Sequence, residues 1–306
     1  MAKTEFSVVI PCRNQRNFIA QAVESVLAQT HAAREVIVVD DASTDGSVDV
    51  LKGYGSQIRL LACETNRGAA GARNAGTELA QGEYIAYLDG DDAFEPWALE
   101  LYDRIIQARS PLMVLAQMSF FRDRFPENRE RDLPPQIELV SYENWIDKDR
   151  EFRSSASLIV VKRSAVKEVG GWKKDAWPFD DYFLLTDLAY SGRTIRILNP
   201  STVLYREHQN NVTHNLPQIL PGTYRYIEAA LSRPHLKNQP KWLARLALAG
   251  GQPLWAVRKA WQNGRKVDAL RLLFRASPLI AATAIVRLRA MVFGRRPTEI
   301  FPVANS

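Results

Sequence analysis

Short apolar runs alternate with amphipathic stretches through the first 110 residues, and that alternation sets the expected architecture. Phe6-Ser7-Val8-Val9-Ile10 reads as a buried first strand stopped by Pro11. Asn17 is the expected N-cap of a helix whose stripe is Phe18, Ile19, Ala22, Val23 and Val26. Val36-Ile37-Val38-Val39 is a second strand of parallel-sheet character, Ile58-Arg59-Leu60-Leu61 a third and Tyr84-Ile85-Ala86-Tyr87-Leu88 a fourth. Helical stretches fall between and after them: to about Lys52, within the small-residue segment Asn66–Gly76, and from Pro96 to about Ala108. Strands alternating with helices imply right-handed crossovers and a mainly parallel sheet flanked by helices, an α/β fold.

Two of these strands run into acids. The second ends in Asp40-Asp41-Ala42-Ser43-Thr44-Asp45-Gly46, the fourth in Asp89-Gly90-Asp91-Asp92. Ligands of open α/β sheets bind beyond the carboxyl ends of the strands. Clustered carboxylates there suit a hard divalent cation that also holds phosphates. They suit a solvated turn equally well, since Asp and Gly are ordinary turn residues, and Asp40 and Asp45 fit local turn and capping roles. A dinucleotide fold needs a glycine fingerprint after the first strand, but Pro11–Arg16 has no glycine, and no Walker-type Gly-Lys-Ser/Thr element occurs. Neutralising a bound phosphate therefore falls to a metal at Asp89 and Asp91 and to basic side chains.

Composition narrows the class. At 306 residues, 46% hydrophobic and 24% charged, the chain can bury a substantial core and resembles soluble globular proteins. The two cysteines, Cys12 and Cys63, fit a reduced cytoplasmic setting, and no His/Cys group has zinc spacing. Met1–Glu5 runs into the first strand and is not a signal peptide. No 18-residue uncharged apolar stretch exists, so no transmembrane helix is expected.

The net charge of +6 is unevenly placed. Residues 233–296 hold 14 Lys/Arg against one acid, Asp268; with Glu299 the only charge beyond them, residues 1–232 are net −6. Pro217, Pro221, Pro234, Pro240 and Gly250-Gly251 punctuate three or four expected helices, with Trp242, Trp255 and Trp261 among the basic residues. Leu279–Phe293 is apolar except for Arg287 and Arg289, too short and too charged to span a bilayer. Two readings of this tail stay open: a segment lying on an anionic membrane surface, or helices packed on the rest with a solvated basic face. Nucleic acid is not an expected partner, because no recognised motif accompanies the charge.

Taken in register, Ser7–Pro11, Val39–Gly46, Arg73-Asn74-Ala75-Gly76 and Leu88–Asp92 resemble the family 2 glycosyltransferases. The likeness continues through Val169-Gly170-Gly171-Trp172, Phe179-Asp180-Asp181-Tyr182 and Tyr205-Arg206-Glu207-His208, covering roughly residues 5–214. It implies a GT-A nucleotide-diphospho-sugar transferase fold with a C-terminal helical extension. The expected layout is a catalytic domain over 1–214, with a nucleotide-sugar half to 110 and an acceptor half from 111, then a basic helical region over 215–306.

The activity implied is inverting hexosyl transfer, dependent on Mn²⁺ or Mg²⁺, from a nucleotide-sugar donor, a UDP-sugar ahead of others. The acceptor implied is a saccharide or lipid-linked saccharide of envelope or exopolysaccharide synthesis. The setting implied is the cytoplasm or the inner face of its membrane.

By the same resemblance, Pro11 and Asp41 line the nucleobase pocket and Arg73 lies near ribose or phosphates. Asp91 is the direct metal ligand, with Asp89 on the ribose or bridged through water, and Asp92 braces the turn. Arg206 contacts the diphosphate, and His208 approaches the diphosphate or the metal. Asp181 is the base, with Asp180 in a supporting or acceptor-binding role. Two departures stand out: Asp180 where the family usually has Glu, and Arg13 where it often has an aromatic that stacks on the base, a task Arg can share.

Two other classes use the same residues. A nucleotidyltransferase of related topology should carry a glycine-rich basic loop after the first strand, which Pro11–Arg16 lacks. A non-catalytic nucleotide-sugar-binding or scaffolding protein should lack the metal pair or the base.

Overall fold

The computed structural model describes residues 3–124, 126, 134–140, 155–209, 211, 216–232, 246, 250–293 and 299–303. Arg233, Pro234, Lys237, Pro240, Lys241, Trp242, Arg245, Arg295 and Arg296 of the expected basic tail lie outside the described residues.

β1 (Phe6–Cys12), β2 (Glu35–Asp40), β3 (Arg59–Ala62) and β4 (Tyr84–Tyr87) pair in parallel in the order β3-β2-β1-β4. Val9 stands opposite Ile37 on one side and Tyr87 on the other. Every residue of β1 is buried, because alternate side chains point to opposite faces and both faces are covered. Phe6, Val8 and Ile10 pack with α1 (Ile19–Leu27) and α4 (Ala98–Arg109). Val9, Ile37 and Val39 pack with α3 (Gly68–Leu79) on the other face. Asn17 does not cap α1: the N–H groups of Phe18 and Ile19 both bond the Gln15 carbonyl at 2.9 Å, and the helix starts beyond Phe18 with no side-chain cap.

Beyond β4 the sheet is mixed. β9 (Ile159–Lys162) runs antiparallel between β4 and β6 (Met113–Leu115), and β10 (Thr194–Asn199) runs parallel to β6. β8 (Gln136–Val140) and the edge strand β12 (Glu299–Pro302) follow, each antiparallel to its neighbour. The sheet is thus wholly parallel in the first half only, and mixed beyond β4. An apolar run encodes burial and leaves direction open. A second, three-stranded sheet, ordered β5 (Ala93–Phe94), β11 (Val203–Arg206), β7 (Met118–Phe121), carries Arg206 up to the acid turn.

Two shorter helices, α2 (Ser47–Lys52) and α5 (Arg163–Glu168), fill the layers, and α6 (Asp180–Ser191) carries the second acid pair. α7 (Leu216–Ser232) packs on α6 through Tyr226, and α8 (Gly251–Gln262) and α9 (Lys266–Phe293) pack on α7 and on each other. Phe179, Tyr182 and Phe183 share a cluster with Tyr226, Ala256, Leu272 and Leu279, and the Phe183 and Tyr226 rings lie 4.8 Å apart. Pro221 sits inside α7 rather than between helices. Next to it, a side chain at Gly222 would fall 2.2 Å from the Pro178 ring and 2.4 Å from the Trp177 carbonyl, so only glycine lets α7 approach the chain just before Asp180.

The expectation of a short apolar segment at 279–293 is overturned. It is the second half of a 28-residue helix that runs through Pro278, and Lys266–Arg289 is long and apolar enough to cross a membrane by length and composition. The proline does not end the helix because the stripe buried against α7 and α8, Ala269, Leu272, Ala276 and Leu279, continues across it. Packing outweighs local propensity here. The C-terminal region is also not wholly helical, since β12 belongs to the main sheet.

Candidate active site

The acid turn after β4 is built against β1. A side chain at Gly90 would meet the Gln15 Oε1 at 2.3 Å and the Pro11 carbonyl at 3.0 Å, so glycine lets the turn close on the end of β1. Within the turn the Asp92 N–H bonds the Asp89 carbonyl at 3.0 Å. Ser157 locks it from the opposite strand system, accepting the Asp89 N–H at 3.0 Å and donating to Asp92 at 2.6 Å. Asp92 is 2% exposed and also accepts the Arg206 N–H at 3.0 Å, so it braces the turn as expected. Burial, with the charges of Asp91 and Asp89, pushes its carboxyl well above the ordinary range.

Arg73 joins the two acid pairs. Its guanidinium donates to Asp89 at 2.6 Å and to Asp180 at 2.7 Å, and its Cζ lies 4.6 Å from the centroid of the Trp172 ring. Asn74 fixes that ring's backbone, donating to the Trp172 carbonyl and accepting its N–H, both at 2.8 Å. Burial works against the Arg73 charge, but Asp89 and Asp180 outweigh it and hold the group firmly protonated. The Asp89 carboxyl is pushed up by burial and by Asp91, with Arg73 pulling the other way. Asp180 is buried in this bridge. Asp181, beside it in the first turn of α6, is only partly buried and accepts the Tyr182 N–H at 2.7 Å.

Arg206 occupies the other flank. It donates to the Asp91 carbonyl at 2.9 Å, to the Arg122 carbonyl at 3.1 Å and to the Gln21 side chain. The guanidinium stacks between Phe18 and Phe121, 4.8 and 4.3 Å from their centroids. Burial lowers its proton affinity, against the pull of Asp91 and Asp92. His208 Nε2 meets Asp91 Oδ2 at 2.9 Å while its ring stacks on Phe18 at 5.0 Å. Asn211 accepts the His208 N–H and donates to the Arg206 carbonyl, which fixes this arm.

The end of β2 forms a separate rim. Asp41 is buried and accepts the Arg67 N–H at 2.6 Å, and the Arg13 guanidinium donates to the Asp41 carbonyl from the exposed side. Asp40 accepts the Ser43 N–H at 2.9 Å, and its second oxygen is buried without a partner. Asp45 accepts the N–H groups of Ser47 and Arg16, each at 2.9 Å. Cys12 and Cys63 are free and buried; burial, then the charge of Asp40, pushes the Cys12 thiol up to about 12.

The structure therefore brings Asp89, Asp91, Asp180, Arg73, Arg206 and His208 into one connected network, with Asp181 at its edge and Pro11 behind the turn. Asp41 and Arg13 stand apart on the β2 rim. Phe18, Gln21 and Ser157 also belong to the site. In the sequence Phe18 reads as part of the apolar stripe of α1, and only its half-exposed position at the helix start distinguishes it. Among the described residues, no group of three His, Cys, Asp or Glu is arranged to hold a metal ion. Asp91 and His208 offer two convergent donors, and any cation held there would draw its remaining ligands from substrate oxygens and water.

A profile of the family described as "Glycosyl transferase family 2" matches residues 7–170. The chain is 44% identical over 107 residues to the putative teichuronic acid biosynthesis glycosyltransferase TuaG of Bacillus subtilis, covering 34% of this chain and 42% of that protein. It is 27% identical over 214 residues to the UDP-Glc:alpha-D-GlcNAc-diphosphoundecaprenol beta-1,3-glucosyltransferase WfaP of Escherichia coli, covering 68% of this chain and 80% of that one. In three dimensions it is similar to S. aureus TarS 1–349 in complex with UDP-GlcNAc, at 17% identity and a TM-score of 0.59 over 95% of this chain and 92% of that one. That likeness identifies the fold as GT-A, with helices following the sheet domain.

Proposed function

The chain belongs to glycosyl transferase family 2, and from that premise we propose a metal-dependent, inverting hexosyltransferase that moves a sugar from a UDP-sugar to a hydroxyl of a lipid-linked saccharide. The observation that carries this reading is the Arg73 bridge. It holds Asp89, beyond β4, and Asp180, at the start of α6, within 2.7 Å of one guanidinium although they lie far apart in the chain. One guanidinium thus joins the acid given to the donor and the acid pair given to the acceptor. The UDP donor and the lipid-linked acceptor are taken from the substrates in WfaP's name, and substrates of that kind support a setting at the cytoplasmic face of a membrane.

The chemistry follows from which acids are committed. Asp180 is tied to Arg73, so its carboxylate positions rather than takes a proton. Asp181 is the base: it accepts the proton of the acceptor hydroxyl as that oxygen bonds to the anomeric carbon. The bond from that carbon to the diphosphate oxygen breaks on the opposite side, and the configuration inverts. Arg206, rigid between two rings, faces the departing diphosphate. Asp91 and His208 would hold a Mn²⁺ or Mg²⁺, which supplies charge neutralisation for the leaving group. The donor set fits such an ion: a carboxylate and an imidazole converge at Asp91 and His208, and acids outnumber guanidiniums in the network. Pro11, Asp41 and Arg13 line the uracil end.

Calorimetry of UDP with and without Mn²⁺ tests this. Binding should require the metal and be lost in Asp91→Ala. Equal, metal-independent UDP binding by both proteins would remove the metal from the site. No binding under any condition would overturn the donor assignment.

A further inference from the structure

α9 is apolar on two opposite faces. Ala269, Leu272, Ala276 and Leu279, at most 1% exposed, fill the cluster shared with α7 and α8. On the far side, a turn of about 100° per residue sets Val267, Leu270, Phe274, Ile285, Leu288 and Val292 in one stripe. All six are between 55 and 83% exposed. A 28-residue helix is about 42 Å long, and the stripe runs its full length. Contiguous apolar surface of that extent marks a binding face.

The rim of the stripe says what covers it. Arg271 and Arg289 stand exposed one step around the helix from it. Arg275 lies further round, bonded to Glu228 at 2.7 Å. The one acid of the helix, Asp268, is already taken by Arg265 at 2.7 Å. Residues 251–293 carry eight Lys/Arg and that single acid.

An apolar ridge edged with guanidiniums complements an anionic lipid surface, where acyl chains take the ridge and phosphates take the arginines. A second copy of the chain is a poorer occupant. A two-fold pairing along this stripe would bring the arginine rims together with no acid to answer them. Spanning the bilayer would strip the buried stripe from α7 and α8.

We propose that α9 lies in the surface of an anionic phospholipid bilayer, with Phe274 and Leu288 in the acyl boundary and Arg271 and Arg289 at the phosphates. Tyr182 and Phe183 of α6 pack in the same cluster as Leu272, so docking holds the helix that begins with Asp180 and Asp181 beside the membrane. The inference stands on α9 and does not rest on the transfer chemistry.

Co-sedimentation of the full chain with vesicles tests it, using phosphatidylcholine alone and phosphatidylcholine with phosphatidylglycerol in equal parts. The wild type should sediment with the mixed vesicles and be released by salt. Phe274→Glu with Leu288→Glu should weaken sedimentation roughly tenfold or more, and Arg271→Glu with Arg289→Glu should do the same. These residues are exposed, so the circular dichroism and Tm of each variant should match the wild type, and UDP binding should be unchanged. A wild type that stays in solution with both vesicles overturns the proposal, as does a Phe274→Glu/Leu288→Glu protein that sediments fully. A lipid-free dimer in sedimentation velocity, dispersed by those two changes, would give the stripe to a second copy instead.

Discussion

Two strands of the same sheet end in acids, and the two ends are satisfied in different ways. Beyond β2, Asp40 and Asp45 bond backbone N–H groups three and two residues ahead, and Asp41 and Asp45 take further N–H groups of Arg67 and Arg16. Beyond β4 the partners are mostly side chains from distant segments. Arg73, Ser157 and His208 reach Asp89, Asp92 and Asp91, the last two across 65 and 117 residues. The first set shapes a loop. The second set joins separate parts of the fold. An acid held by backbone N–H groups shapes a loop; one held by a remote guanidinium, as Asp89 is by Arg73, is where a charged ligand can compete.

Substitutions should separate the two ends. The largest effect is expected next to the remote network: Asp181→Asn should lower kcat by about 10²- to 10⁴-fold with UDP affinity unchanged, measured by steady-state kinetics and calorimetry. A comparable fall in UDP affinity would move Asp181 to the donor side. Next, Arg73→Met strands Asp89 and the buried Asp180, and urea unfolding should show a loss of about 3–5 kcal/mol. An unchanged midpoint would mean that the bridge does not hold the two halves together.

The smallest effect belongs to the local rim, where Asp45→Ala should cost about 0.5–1.5 kcal/mol and leave kcat within twofold of wild type. Its pH dependence has a definite sign. Some burial raises the Asp45 carboxyl, but hydrogen bonds from Ser47 and Arg16 outweigh it and leave the group below its ordinary value. Its contribution is therefore complete above the unfolded value of about 3.9 and disappears as pH falls through the lower folded one. The difference between wild type and Asp45→Ala should shrink in acid. A difference that persists at the lowest pH would assign the cost to something other than the carboxylate.

The same contrast explains what was legible in the sequence. Phe6–Ile10 and Val36–Val39 became β1 and β2 because burial on both faces leaves an uninterrupted apolar run. Asp40 and Asp45 were readable as turn residues, since each bonds an N–H two or three positions ahead. Asp89 and Asp91 were readable as acids beyond a strand end, and Arg206 and His208 came from the family resemblance, whereas Phe18, Gln21 and Ser157 were missed. Phe18 looks like one more apolar residue of α1, and nothing near Ser157 in the chain announces Asp92. The length of α9 was hidden for the opposite reason. Pro278 reads locally as a break, while the stripe that carries the helix past it is visible only once α7 and α8 are in place.

β12 gives the tail a second fastening. The chain leaves the small sheet at β11, builds α7, α8 and α9, and returns to lay Glu299–Pro302 along β8. Phe301 there sits under the Arg109 guanidinium at 4.3 Å. A segment clasped at both ends cannot be unhooked as an appendage. Force applied to the chain beyond α9 is borne by the sheet itself. Shortening the chain to residue 214 would remove the clasp along with the helices. It would bare the β8 edge, Ile137 and Leu139 included, to any strand that came by.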